Sequence, residues 1–386
     1  MFHVEHTDRL LDSQNAELAD LERQGLRRAL RPLSGTALEL ELAGQPVVNF
    51  CSNDYLGLGG EIGSVSGLDQ GAGASRLISG NHPAHRALEE AVADWLGCEA
   101  VLLFGSGYQA NLGLVSALVG PGDLVLSDAL NHASLIDGCR LSKARIEIFP
   151  HGDVDAVARL LTALRRDHRR CLVLTESLFS MDGDRGRLEE LHRLAEQHSA
   201  GLIVDEAHAF GALGDAGRGL GPHGAFARVG TFGKALGTYG AFVAGPRALI
   251  ELLTTRARSF VFSTALPPVA VASAQRALER AIGPEGDARR VRLAENVATV
   301  DSHLARLGLQ RSGSHIVPLR VRSGEAADAM RIAQLLLDRG LFVQGIRPPT
   351  VPSGTARLRL SLSAAHRPDH LDRLLAAITA LRTELL

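Results

Sequence analysis

Seven short apolar runs divide the middle of this chain: Ala100 to Phe104, Asp123 to Ser127, Arg145 to Phe149, Cys171 to Thr175, Gly201 to Val204, Arg228 to Phe232 and Ala241 to Ala244. Each has the length of a strand buried inside a sheet and is too short for a helix. Between or after them, Gln109 to Val119, Val154 to Arg165, Leu188 to His198 and Arg247 to Arg258 carry apolar residues at helical spacing. Strands separated by helices make a mainly parallel sheet covered on both faces, because a parallel connection needs a long crossover. The pattern predicts an α/β fold. Ligands of such sheets bind beyond the carboxyl ends of the strands. The residues just after each apolar run are therefore where chemistry is expected.

Those residues are polar and specific. Gly105-Ser106-Gly107-Tyr108 ends the first run and opens a helix, the arrangement that aims backbone N–H groups at a phosphate. No Lys-Ser/Thr follows, and the third glycine of a dinucleotide fingerprint is missing, so a nucleotide loop is excluded. Asn131-His132-Ala133-Ser134, Glu176 to Asp184 and Asp205-Glu206-Ala207-His208 follow three other runs. Thr231-Phe232-Gly233-Lys234-Ala235-Leu236-Gly237 holds one of only two lysines among 41 basic residues, Lys143 being the other. A guanidinium stays charged at any working pH, so a lysine kept where arginine fills almost every other position points to an amine that must lose its proton. Schiff-base chemistry is the commonest reason. One strand-end carboxylate could be a helix cap. A His, a Ser, an Asp-x-x-His and a Lys at successive strand ends call for more. A cofactor with a phosphate, an aldehyde and a basic ring nitrogen would use them all, and that cofactor is pyridoxal 5′-phosphate.

The flanks complete the layout. Thr7 to Leu30 is expected to form an amphipathic helix that packs on the chain, and Leu38 to Phe50 a hairpin turned at Gly44-Gln45. Gly283-Pro284-Glu285-Gly286 is read as a boundary. Beyond it, helices Arg289 to Leu307, Ala326 to Arg339 and Asp369 to Leu385 alternate with strands Ile316 to Val321, Phe342 to Gln344 and Ala356 to Leu362. The expected division is an N-terminal segment (1–45), a large cofactor-binding domain (46–282) and a small C-terminal α/β domain (283–386). With a net charge of −2 and no basic block, nucleic acid is not an expected partner. The four cysteines form no CxxC pair and lie in no metal-ligand spacing, so no metal site is expected. The apolar stretch from Ala100 to Gly120 is broken by Ser106, Tyr108, Gln109 and Asn111, which argues against a membrane span. Met1 to Leu11 lacks a signal-peptide core. A cytoplasmic protein is expected.

These motifs resemble the α-oxoamine synthase family of fold-type I pyridoxal-phosphate enzymes, over nearly the whole chain. The resemblance rests on Asn53 to Leu58, Ser79-Gly80-Asn81-His82, Gly107 to Asn111, Asn131 to Ser134, Phe179 to Asp184, Val204 to His208, the Lys234 stretch, and the run from Ile346 through Leu360. It implies an aminotransferase-like fold with Lys234 as the Schiff-base lysine. His132 would stack on the cofactor ring, Asp205 would pair with the pyridine nitrogen, and Ser180 and His208 would bond the ring hydroxyl. Gly107, Tyr108 and Thr231 would hold the phosphate. The resemblance also implies a homodimer with shared sites, in which Ser263 and Thr264 of one subunit meet the phosphate of the other. Arg27, His132, Arg347, Thr350 and Arg359 would contact substrate. The implied reaction condenses L-alanine with a pimeloyl thioester. A sister reaction, glycine with acetyl-CoA, is the alternative.

Overall fold

A computed structural model describes residues 2–385. The chain opens with helix α1 (Phe2–Arg23), the short strand β1 (Ser34–Gly35) and the hairpin β2 (Glu39–Leu42) and β3 (Gln45–Asn49). Helix α2 (Pro83–Leu96) leads into the central region. There β4 (Ala100–Phe104), α3 (Gly107–Leu118), β5 (Leu124–Asp128), α4 (Ala133–Ser142), β6 (Arg145–Phe149), α5 (Val154–Leu164), β7 (Cys171–Glu176) and α6 (Leu188–Gln197) alternate. Then come β8 (Gly201–Asp205), β9 (Ala227–Thr231) and β10 (Ala241–Gly245).

All seven expected strands form one sheet in the order β4-β10-β9-β8-β7-β5-β6. Five of them, β6, β5, β7, β8 and β9, pair in parallel, while β10 runs antiparallel to both its neighbours. The reason lies in the connection. The loop from β9 to β10 is too short for a crossover helix, so the chain must fold straight back. That tight return carries Lys234. Consecutive residues of the buried strands face opposite sides: Leu172 and Leu174 join a cluster with Leu114 and Leu135, while Val173 joins Val157 and Leu191. Both faces are apolar because both are covered.

The rest of the chain packs around this sheet. Helices α7 (Arg247–Arg256), α8 (Arg258–Val261), α9 (Pro268–Ile282) and α10 (Pro284–Leu307) follow, then β11 (Ile316–Arg320), α11 (Ala326–Leu337), β12 (Leu341–Phe342), β13 (Gln344–Ile346), β14 (Arg357–Ser361) and α12 (Pro368–Ala380). A three-stranded sheet runs β11-β14-β13, and β12 adds in parallel to β3, so the N-terminal hairpin is tied to the C-terminal segment. The helix expected from Arg289 begins earlier, at Pro284, within the stretch read as a boundary. Pro284 at the first helical position, with Glu285 and Asp287 in the first turn, starts the helix early. The N-terminal helix ends at Arg23, well before the expected Leu30, and Gly25 leaves it at φ +66°. Its apolar face does not pack on the chain: Leu10, Leu11 and Leu18 are 62, 51 and 43% exposed. No helix among the described residues is long and apolar enough to cross a membrane.

The four cysteines are free. Burial pushes the thiols of Cys51 and Cys139 up to about 12, and that of Cys171 up to about 11. Each is a small apolar side chain in practice.

Where Lys234's loop returns, Gly237 sits at φ +63°, and a Cβ there would come within 2.3 Å of the Gly59 backbone nitrogen. Gly59 is itself held by Asp54, whose carboxylate accepts from the N–H groups of Leu58 at 2.9 Å and Gly59 at 2.8 Å. The lysine loop and the Asn53 to Leu58 loop thus touch backbone to backbone. Gly237→Ala is expected to lower stability by roughly 1–3 kcal/mol, from the forced left-handed backbone and the clash together. A urea midpoint equal to that of the parent would show that the two loops are not in close contact.

Candidate active site

The carboxyl ends of β5, β7, β8 and β9 bring His132, Glu176, Asp205 and Lys234 to one edge of the sheet. Register sets two of them side by side: Glu176 pairs directly with Asp205 across β7 and β8. Asp205 is buried. One of its oxygens accepts from Asn111 Nδ2 at 2.6 Å and the other from the Ala207 N–H at 2.9 Å. Glu176 accepts from the His132 N–H at 2.6 Å. Burial, and then the Asp205 charge, push the Glu176 carboxyl well above the usual range.

Lys234 Nζ lies 2.7 Å from His208 Nε2. Desolvation lowers the amine to about 8, against the pull of Asp205 and Glu176. His208 Nδ1 lies 2.7 Å from the hydroxyl of the buried Tyr55. That hydroxyl donates to Asn53 Oδ1 at 3.0 Å, and Asn53 Oδ1 also accepts from Arg359 Nη1 at 3.3 Å. An amide oxygen only accepts, so the tyrosine proton belongs to Asn53 and the His208 Nδ1 proton to Tyr55. The lone pair of His208 Nε2 then faces Lys234. Burial, followed by the nearby Lys234 charge, holds His208 well below its ordinary value, consistent with a neutral ring.

His132 caps α4, with Nδ1 accepting from the Ser134 N–H at 3.2 Å, and its ring is exposed at the site. Arg359 is oriented by three bonds: Nε donates to the Ser180 carbonyl at 2.6 Å, and Nη1 donates to Asn53 and, at 2.8 Å, to Ser361 Oγ. Its Nη2 has no protein partner among the described residues.

The remaining expected residues divide. Gly107 and Tyr108 form the first turn of α3, where Ser106 caps the Gln109 N–H. The N–H groups of Gly107 and Tyr108 have no protein acceptor among the described residues, as expected of a helix start open to an anion. The Tyr108 hydroxyl is bonded to Asp137. Thr231 Oγ1 donates to the Gly240 carbonyl at 2.9 Å and accepts from the Gly233 N–H, so its proton is engaged within the chain. Ser263 and Thr264 line a small cavity with Arg76 and Gln109. Arg27 is paired with Glu22 at 3.0 Å. Its neighbour Arg28 instead reaches Thr350 Oγ1 at 3.1 Å, and Arg347 donates to the Arg27 carbonyl at 3.0 Å. Sequence reasoning assigned no role to Asn53, Tyr55, Asn111 or Glu176. Glu176 carried a signal, a carboxylate closing a wholly buried strand. The other three meet the site only through long-range packing.

The donor set fits pyridoxal 5′-phosphate. A buried amine of lowered basicity, a buried carboxylate fixed by two donors, a neutral imidazole and an open helix N-terminus lie at the ends of one sheet.

The aminotransferase class I and II model matches residues 45–378. The chain is 47% identical over 384 residues to the 8-amino-7-oxononanoate synthase of Geobacter sulfurreducens, covering 96% of this chain and 97% of that one. It is 49% identical over 390 residues to the 8-amino-7-oxononanoate synthase of Anaeromyxobacter dehalogenans strain 2CP-1, with 97% and 96% covered. Among solved structures, a serine palmitoyltransferase from S. paucimobilis with PLP and myriocin bound superposes at a TM-score of 0.86 and 30% identity, covering 97% of this chain and 99% of that one. The chain belongs to the aminotransferase class I and II family, with a fold-type I architecture and pyridoxal 5′-phosphate as its cofactor. Within that family its near-full-length relatives are 8-amino-7-oxononanoate synthases.

Proposed function

We propose that the chain condenses L-alanine with a pimeloyl thioester to give 8-amino-7-oxononanoate, carbon dioxide and a free thiol, the step of biotin synthesis that its relatives' name describes. The observation that carries the chemistry is the Lys234 amine, lowered to about 8 and facing a neutral His208 at 2.7 Å. The bound cofactor supplies a carbonyl that condenses with amines and a ring that accepts electrons from the alanine Cα. Lys234 holds the cofactor at rest and then, as a free amine, takes the Cα proton. Asp205 would keep the ring nitrogen protonated, and His132 would stack on the ring. Ser180 and His208 would bond the ring hydroxyl, while the α3 N-terminus at Gly107 and Tyr108 would take the phosphate, with Thr231 joining by exchanging its bond to the Gly240 carbonyl. Arg359 offers Nη2 to the alanine carboxylate. The alanine Cα bonds to the thioester carbonyl carbon as the thiolate leaves and takes a proton, the carboxylate then departs as carbon dioxide, and Cα takes a proton in its place.

The far carboxylate of the acyl chain needs a cation or donors to receive it. Arg347 and Thr350 lie together with Arg28 at 3.1 Å from Thr350, and we add Arg28 to the candidates beside Arg27. We read the chain as a cytoplasmic homodimer in which Ser263 and Thr264 of each subunit approach the other's phosphate site. The exposed apolar face of α1 supports a second copy as its cover. We divide the chain into the segment 1–45, the large domain 46–282 and the small domain 283–386.

The test is thiol release with each of the four pairings of alanine or glycine with pimeloyl-CoA or acetyl-CoA. Losing a bond to a charged group costs about 1.5–3 kcal/mol, and a single methyl discriminates by only about 1–3 kcal/mol. With several donors available to the acyl carboxylate, acyl choice is expected to be sharper than amino-acid choice. Faster turnover of glycine with acetyl-CoA than of alanine with pimeloyl-CoA would overturn the substrate assignment. Fold and cofactor would stand.

A further inference from the structure

The loop after β7 is held from two sides. It closes on itself through a bridge between Leu178 and Arg185 and through bonds between Phe179 and Asp184 (3.0 Å) and between Gly183 and Phe179 (2.9 Å). On one side it presses on the small sheet. Gly183 sits at φ +69°, where a Cβ would meet the Ile316 carbonyl at 2.2 Å, and Asp182 pairs with Arg357. On the other side His151 ties its far end to the large sheet. His151 Nδ1 lies 2.9 Å from Asp128 Oδ1, and His151 Nε2 lies 2.6 Å from Asp184 Oδ2. Asp128 ends β5, is buried, and also accepts from the N–H groups of Leu130 at 2.9 Å and Gly152 at 3.1 Å.

Each ring nitrogen of His151 faces a carboxylate oxygen, which accepts and does not donate. Both nitrogens must therefore carry hydrogen, and the ring is a cation. The Asp128 and Asp184 carboxylates raise it to about 10, and they are the charged groups that face it. The His151 ring also meets the Phe179 ring nearly at right angles, with 4.4 Å between centroids. What this loop delivers to the site is the Ser180 carbonyl, which accepts from Arg359 Nε at 2.6 Å.

We propose that His151 is a positioning residue for the amino-acid subsite: its bridge from Asp128 to Asp184 fixes the loop that aims Arg359 at the substrate carboxylate. The proposal rests on the reading of Arg359 as the carboxylate clamp. Asp128 and the β5 end are rigid parts of the large sheet, whereas Asp182 and Arg357 hold the loop to the small one. Without the His151 cation, two carboxylates face each other across the gap, and the loop loses its only tie of this kind to the large sheet among the described residues. Arg359 then loses the fixed carbonyl that orients its fork.

The experiment compares His151→Gln, Asp184→Asn and Arg359→Lys as holoenzymes, with steady-state kinetics for both substrates, visible absorbance of the bound cofactor and thermal melting. Asp184 is partly exposed, so its variant keeps the test alive if His151→Gln fails to fold. Expected for His151→Gln and Asp184→Asn is a KM for alanine raised about tenfold, with the KM for the thioester within about twofold and cofactor absorbance retained. Combining His151→Gln with Asp184→Asn should add little to either single substitution. A fall in melting temperature with an unchanged KM for alanine, or equal rises for both substrates, would overturn the proposal. If Arg359→Lys also left the KM for alanine unchanged, the clamp reading itself would fall. A raised value for Arg359→Lys alone would leave the clamp standing and remove His151 from it.

Discussion

Lys234→Arg is expected to abolish turnover while the chain still folds. The site shows why charge alone does not explain this residue. Lys234 Nζ is held at 2.7 Å from a neutral imidazole, and desolvation lowers it to about 8, so close to half of it is free amine at pH 8. A guanidinium at the same place stays protonated, cannot condense with the cofactor carbonyl and cannot take a proton from Cα. The measurement is thiol release against a mock preparation, with circular dichroism to confirm folding. Release above the mock would overturn the assignment of Lys234. The sign with pH also follows. The parent amine is the basic form above about 8 and is protonated below it, so apoprotein should take up cofactor faster as pH rises through that value.

Asp205→Asn is expected to keep cofactor bound and lose at least a thousandfold in rate, roughly 4 kcal/mol of barrier at 1.4 kcal/mol per tenfold. An amide cannot hold the ring nitrogen protonated, so negative charge developing at the alanine Cα has a weaker sink. The amide oxygen can keep only one of the two donors, Asn111 Nδ2 or the Ala207 N–H, because its NH2 cannot accept from the other, so retained cofactor absorbance is needed beside the rate to separate lost charge from lost position. Exchange of the alanine Cα hydrogen in heavy water isolates the step. Near-parental exchange would show that Asp205 has no such part. The substitution also removes the like charge beside Glu176, whose carboxyl is raised first by burial and second by Asp205. Glu176 should then ionise more readily, although burial keeps its value above the ordinary range.

The sheet was legible because its strands are buried on both faces. Leu172-Val173-Leu174 and Leu202-Ile203-Val204 have no polar alternation to confuse with a surface strand, and the polar residue that ends each run marks the site. Lys234, His132, Asp205 and His208 were readable for the same reason. The antiparallel strand β10 follows from the short loop before it. What sequence could not supply was long-range. Tyr55 meets His208 from 153 positions away and Asn53 meets Arg359 from 306, and no local pattern marks either contact. The adjacent residues Arg27 and Arg28 point to different partners once α1 ends at Arg23. The two-residue strand β12 is too short for any periodicity and exists only because β3 is there to pair with it. The start of α10 was misread because Gly-Pro was taken as a break, when proline is well suited to the first position of a helix.

The buried thiols have a practical consequence at the bench. A thiol at about 12 is ionised to about one part in ten thousand at pH 8, and only the thiolate attacks a disulfide dye. Cys51 and Cys139 are in that state, Cys171 is close to it, and burial raises Cys98 as well. A chromogenic disulfide can therefore stand in the cuvette throughout an assay and register the substrate's released thiol against a nearly silent protein. The same dye added with denaturant would then see all four cysteines at once. One sample thus yields both the turnover and the amount of folded chain that produced it.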